Sequence, residues 1–238
     1  MRILLIGYGK MGKTIEKLAI ERGHTISGKI TSSNADTLSN YNGSNTDVAI
    51  EFTLPHLAVA NNAYCLNNGI KVICGTTGWL AHKPEIDALC NEKGSAFLYG
   101  SNFSIGVNIF FHINKVLAKV MNNFPNYEID TEEIHHTQKL DAPSGTAITL
   151  AEGIINNIDR KTAWVNDAET KDSDVLIRSI REGAVPGTHS ITYKSAIDDI
   201  EIKHTAHNRT GFALGAVVAA EWIADKKGVF SIEDMLKF

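Results

Sequence analysis

Arg2-Ile3-Leu4-Leu5-Ile6-Gly7-Tyr8-Gly9-Lys10-Met11-Gly12 decides the fold of this chain. Its apolar start is the kind of run buried on both faces of a parallel sheet. The glycines then fall at a G-x-G-x-x-G spacing. Gly7 permits a tight turn, Gly9 lets backbone approach a pyrophosphate, and Gly12 lets helix and strand pack closely. Residues 14–22 read as an amphipathic helix with Ile15, Leu18 and Ala19 on one face. Gly23 ends it, and residues 24–30 read as a second strand. Strand, glycine turn, helix and strand make a dinucleotide-binding unit, with amides at the helix start facing the phosphates. Gly7, Tyr8, Gly9, Lys10, Met11 and Gly12 are its candidate contacts.

Working outward, the second strand runs into Thr31-Ser32-Ser33-Asn34, with no acid before Asp36. NAD-specific sites usually place an acid there for the ribose 2′-hydroxyl. Ser32 and Ser33 could instead accept a 2′-phosphate, with positive charge from Lys10. The reading favours NADPH and leaves NADH use open. Residues 46–53, 71–74 and 96–99 read as further buried strands, and 56–68 and 85–92 as helices. The turns that follow the strands hold Thr53, Gly75-Thr76-Thr77-Gly78 and Ser101-Asn102-Phe103. By position they lie on one sheet edge, where a cofactor binds. Thr53, Gly75, Thr76, Thr77, Ser101, Asn102 and Phe103 therefore join the cofactor candidates.

A helix over 107–121 leads into a different pattern. Residues 127–136, 174–181, 189–195 and 199–205 alternate as half-exposed strands do, with one helix at 146–158 among them. The apolar helix at 212–224 returns to the first domain. The expected fold class is α/β: a Rossmann dinucleotide-binding domain at 1–104 and 207–238, plus an α+β domain with a mixed sheet at 105–206.

Composition narrows the function. At 238 residues, 43% hydrophobic and 21% charged, the chain is an ordinary soluble globular sequence. A formal charge of -4 and the lack of a basic stripe speak against nucleic acid. Cys65, Cys74 and Cys90 form no CxxC pair, so neither a zinc site nor a disulfide framework is expected, and no metal is assigned. No run reaches transmembrane length, and six residues before Gly7 are too few for a signal peptide. The expected place of work is the cytoplasm.

The chemistry concentrates in Glu132-Glu133-Ile134-His135-His136-Thr137-Gln138-Lys139-Leu140-Asp141-Ala142-Pro143-Ser144-Gly145-Thr146-Ala147. Histidine moves protons near neutral pH. In a strand, His135 and Lys139 would share a face and His136 would oppose them. Asp141-Ala142-Pro143 makes a stiff turn, and Ser144-Gly145-Thr146 opens a helix whose free amides and hydroxyls suit a carboxylate. As plain structure the same residues are a capped helix start, with Ser144 or Thr146 as N-cap. Beside a cofactor fingerprint, a reductase site for a small carboxylated molecule is the stronger reading.

This window resembles the signature of the dihydrodipicolinate reductase family, as do the loops at 75–78 and 101–104 and the glycine turn. The likeness runs from Arg2 to Gly211-Phe212-Ala213-Leu214-Gly215-Ala216. The resemblance implies the NAD(P)H-dependent reduction that yields tetrahydrodipicolinate, on the diaminopimelate route to lysine, by a homotetramer acting on a dicarboxylate. It also implies His135 as proton donor and Lys139 as a second donor that binds substrate. His136 would contact substrate, and Gly145 with Thr146, beside Ser144, would hold a carboxylate. The family often carries an acid near Ser32, and this chain has none. Two other readings remain: a different NADP-dependent reductase of a small carboxylated substrate, or a non-catalytic NADP(H) sensor.

Overall fold

A computed structural model of the chain describes residues 1–208 and 210–238. It divides into two compact units, Met1–Ile105 with Thr210–Phe238, and Gly106–Arg209. In the first, β1 (Arg2–Ile6), β2 (Thr25–Ile30), β3 (Val48–Glu51), β4 (Lys71–Cys74), β5 (Ala96–Tyr99) and β11 (Gly228–Phe230) form one parallel sheet. Its order is β11-β5-β4-β3-β1-β2.

Alternation along β1 explains the layering. Ile3 and Leu5 point to one face, where α1 (Lys10–Glu21) and α6 (Thr210–Ile223) cover them with Ile15, Ala19, Ala213, Ala216, Val217 and Ala220. Leu4 and Ile6 point to the other, beneath α2 (Pro55–Asn67) and α3 (Lys83–Glu92), which supply Ala58, Cys65, Leu66, Ile86 and Cys90. Each buried Ile or Leu contributes roughly 1.5–3 kcal/mol relative to exposure.

Register sets the functional edge. Ile6 lies opposite both Ile30 and Glu51, Glu51 opposite Cys74, and Cys74 opposite Tyr99. The turns after β1, β2, β3, β4 and β5 therefore leave the sheet on one line. The first helix begins at Lys10, four residues earlier than the pattern predicts. Gly9 is its N-cap, so the glycine turn itself is wound into the first helical turn, with Lys13 N–H donating to Gly9 O at 3.1 Å.

The second unit packs α4 (Ile105–Met121) and α5 (Gly145–Ile155) on one face of a mixed sheet. Its strands are β6 (Glu128–His135), β7 (Ala163–Asn166), β8 (Asp174–Arg181), β9 (Gly187–Lys194) and β10 (Asp199–Ala206), in the order β10-β9-β6-β8-β7. β9 runs antiparallel to β6 and β10, while β8 is parallel to β6 and β7. Ile129, Thr131, Glu133 and His135 point inward from β6, as the strict alternation of buried positions shows. β7 and β11 go beyond the sequence reading; both are short strands at a sheet edge.

Candidate active site

In the first unit the glycines behave as their spacing requires. Gly7 has φ +95°, and a Cβ there would lie 1.9 Å from Phe52 O. A Cβ on Gly12 would lie 2.4 Å from Gly7 O, so helix and turn touch only because the side chain is absent. At Gly9 a Cβ would meet nothing within 4 Å. That open flank, at the start of a helix, fits a pyrophosphate. Lys10 is exposed and Met11 half-buried. Tyr8 instead turns to α1, its hydroxyl donating to Glu16, with Lys29 Nζ 4.7 Å from its ring centroid.

The turn after β2 is tied together by Asn34. Its Oδ1 accepts from Thr31 N–H and Thr31 hydroxyl, both at 2.7 Å. Ser32 and Ser33 are exposed on it. Thr53 N–H donates to Thr76 Oγ1 at 2.7 Å, and Trp79 Nε1–H to Thr76 O at 2.7 Å, so the buried Thr76 braces two loops. Gly75 is half-buried, Thr77 and Ser101 are exposed, and Asn102 Oδ1 accepts from Ser104 N–H. Phe103 lies deeper. Its side chain is buried in the core, 5.7 Å from the Phe52 ring, and its carbonyl fills the space beside Gly215.

In the second unit β6 ends at His135, so the strand parity expected of His135 and Lys139 does not apply. Lys139 follows in a turn, its amide donating to His136 O at 3.1 Å. Its ammonium meets both Asp141 carboxylate oxygens at 2.7 Å, which holds that carboxyl below its ordinary range. His136 is half-buried. Ser144 is the N-cap of α5, its hydroxyl accepting from Ala147 N–H at 3.2 Å. Ser144 is also buried, whereas Gly145 is exposed and Thr146 half-buried. A Cβ on Gly145 would meet nothing within 4 Å. The open part of the turn is thus Gly145 and Thr146, where the first amides of a helix lack internal partners.

The sequence reading passed over what lies beneath. Glu133, fully buried, sits two residues before His135 on the same strand face. Its carboxylate accepts from Ser144 N–H (3.1 Å), Ser179 Oγ (2.8 Å) and Arg181 Nη2 (3.2 Å). Oε2 also lies 3.4 Å from His135 Nδ1 and 3.7 Å from His189 Nε2. His189 contacts Ser144 Oγ at 3.2 Å and packs its ring against His135, centroids 5.1 Å apart at 74°. Burial alone would raise the Glu133 carboxyl. The His189 ring and the Ser144 and Ser179 donors outweigh it, so the group stays ionised well below the usual carboxylate range. Burial is also the largest influence on His135; with the His189, Lys139 and Arg181 charges it pushes the imidazole down to about 4, against the pull of Glu133.

Glu133, His135 and His189 bring three ligand-type atoms within 4.8 Å of one another. The Glu133 oxygens are already taken by a guanidinium, an amide and a hydroxyl. The cluster is therefore hydrogen-bonded rather than shaped for a cation. A parity signal could have found Glu133, since a charged residue falls on the inward face of β6. His189 and Arg181 become neighbours only through strand pairing, Glu133 lying opposite His189 on β9 and Ser179 on β8.

The pattern described as "Dihydrodipicolinate reductase, N-terminus" matches residues 1–103, and its C-terminal counterpart matches 106–236. The chain belongs to the dihydrodipicolinate reductase family. A 4-hydroxy-tetrahydrodipicolinate reductase of Christiangramia forsetii is 48% identical over 238 residues, covering 99% of this chain and 98% of that protein. One from Methanocaldococcus jannaschii is 36% identical over 197 residues, covering 80% of this chain and 71% of its own length. The dipicolinate-bound dihydrodipicolinate reductase of Paenisporosarcina sp. TG-14 superimposes with a TM-score of 0.77 at 21% identity, over 97% of each chain. That structure shares the dihydrodipicolinate reductase fold seen here: a parallel nucleotide-type sheet and a second, mixed sheet.

Proposed function

We propose that the protein is a 4-hydroxy-tetrahydrodipicolinate reductase, using a reduced nicotinamide cofactor to form tetrahydrodipicolinate on the diaminopimelate route to lysine. The observation that carries this reading is one carboxylate. Glu133 faces His135 Nδ1 at 3.4 Å and accepts from Ser144 N–H at 3.1 Å, so a proton donor and an anion-binding turn are held as neighbours. Family membership and the 48% identical relative of that name support it.

Unit Met1–Ile105 with Thr210–Phe238 is assigned to the cofactor, and Gly106–Arg209 to substrate and self-assembly. The first unit's residues fit a dinucleotide, because Gly9 leaves its flank open at the start of α1. Gly7 to Gly12 would hold the pyrophosphate, and Thr53, Gly75 to Thr77, Ser101 and Asn102 line the same sheet edge. When bound, the reduced nicotinamide supplies the hydride. NADPH is the favoured form, because the turn carrying Ser32 and Ser33 presents no carboxylate to repel a 2′-phosphate and Lys10 stands exposed nearby in the glycine turn.

On the substrate side, Lys139 and the Gly145 and Thr146 amides bind carboxylates, with His136 as a further contact. Lys139 reaches substrate by exchanging Asp141 for a ligand carboxylate. His135 donates from its ring nitrogen to the carbon that becomes electron-rich. Held neutral by burial, it takes up its proton as the dicarboxylate brings in negative charge.

The family resemblance points to a homotetramer, and the sheet face opposite α4 and α5, where alternation sets Ile134, Leu176 and Ile180 among Asp130, Glu132 and Arg178, supports self-assembly. A cytoplasmic site follows from the biosynthetic role.

The test is turnover of 4-hydroxy-tetrahydrodipicolinate with NADPH and with NADH. We expect activity with both, a higher kcat/KM for NADPH, and a ~10²–10⁴-fold loss in His135→Ala with nucleotide affinity unchanged. Nucleotide binding without turnover would favour a sensor, and turnover of other imines or carbonyls alone would favour a different reductase.

A further inference from the structure

We infer that Glu133, backed by Arg181 and His189, is the positioning residue that fixes the His135 imidazole and the start of α5 as one rigid group. This rests on the reading of His135 as proton donor. Glu133 touches four separate pieces of chain: His135 on its own strand, Ser144 at the start of α5, Ser179 and Arg181 on β8, and His189 on β9. A buried carboxylate so placed is destabilising unless every lone pair has a partner. Arg181 supplies the balancing charge and also donates from Nη2 to Asp141 O at 2.6 Å. Glu133 and Arg181 thus pin residues 141 and 144, the two ends of the Asp141-Ala142-Pro143-Ser144 turn. The donor histidine and the anion turn are therefore braced by the same carboxylate.

The same contact selects a tautomer. Among the described residues, His135 Nδ1 is buried without a well-aligned hydrogen bond, and Glu133 Oε2 at 3.4 Å is the acceptor facing it. A small ring tilt closes that hydrogen bond, as active-site geometry commonly does on ligand binding. With the fixed proton on Nδ1, the mobile proton belongs to Nε2. Nε2 faces Gly187, where a Cβ would approach to 3.1 Å, so glycine keeps that nitrogen uncovered. The edge-on His189 ring blocks rotation of the imidazole. The charged and titratable groups that act on His135 are Glu133 on its own strand, Arg181 on β8, His189 on β9 and Lys139 in the turn. Glu133 is the one among them that favours the imidazolium.

Two measurements test this. In ¹⁵N-labelled protein at neutral pH, His135 should be protonated at Nδ1 and bare at Nε2. The opposite tautomer would overturn the proposal, whatever the variant's fate. In Glu133→Gln, kcat should fall about 10–100-fold with the nucleotide KM unchanged. The alkaline limb of the kcat–pH profile should move about 1–3 units to lower pH, because a neutral amide no longer favours the imidazolium. A loss of kcat with an unmoved limb means a merely structural role and refutes positioning. Wild-type protein without turnover would remove the reductase reading instead, while the tautomer measurement would still judge the contact.

Discussion

His135 should stay unprotonated in the empty enzyme across the whole range in which an ordinary histidine titrates. The perturbation is pH, read by proton NMR of the imidazoles, with His135→Asn to assign the resonance. Burial dominates, joined by the His189, Lys139 and Arg181 charges and opposed by Glu133, and the midpoint falls from 6.5 to about 4. At pH 6.5 an exposed imidazole is half protonated, but His135 would carry its proton in about one molecule in 300. The difference corresponds to about 3.4 kcal/mol. A base with a depressed folded pKa gives stability that is complete above the unfolded value. It is lost as pH falls through the window from 6.5 to about 4, roughly 2 kcal/mol of it by pH 5. Adding dipicolinate, whose two carboxylates would enter the site, should raise the midpoint by about 1–3 units with net proton uptake. A midpoint at or above 6 in the empty enzyme would refute the reasoning, for it would mean that Glu133 outweighs burial.

Two further outcomes follow from the geometry. Gly12→Ala forces a Cβ to within 2.4 Å of Gly7 O and should cost about 1–3 kcal/mol in stability, with weaker nucleotide binding. Thermal melts with a nucleotide titration will show it, and unchanged binding would separate the glycine turn from the cofactor. Lys139→Ala should raise the dicarboxylate KM and lower kcat while leaving the nucleotide KM alone, which steady-state kinetics will resolve. Unaltered kinetics would mean that the Asp141 ion pair is all Lys139 makes.

Local pattern carried the nucleotide half of the fold. Ile3 to Ile6 are buried from both sides, and the glycine spacing is contiguous, so both can be read without knowing what pairs with what. The start of α1 lies four residues before the expected one, because the last part of the glycine turn is itself helical and the buried Gly12 lets the helix touch the turn. His135 was legible as a histidine on an alternating strand. The strand's end was less so: it stops at His135, and Lys139 is placed by its bond to Asp141 rather than by parity. Glu133 marks the limit. Its partners Ser179, Arg181 and His189 lie 46 to 56 positions away and meet it only once β8 and β9 flank β6.

The return of α6 to the first unit has a consequence for synthesis. Until residues 210–223 have emerged, Ile3, Leu5, Ile73 and Leu98 lack Ala213, Ala216, Val217 and Ala220, and that sheet face has only α1 to cover it. The strand β11 that borders β5 comes later still. The intervening unit, with its own core around Ile154, Ile177 and Tyr193, is contiguous and can close first. A nascent chain of this protein therefore carries a half-covered parallel sheet through most of its translation. A truncation near residue 209 would strand that sheet in the same state permanently.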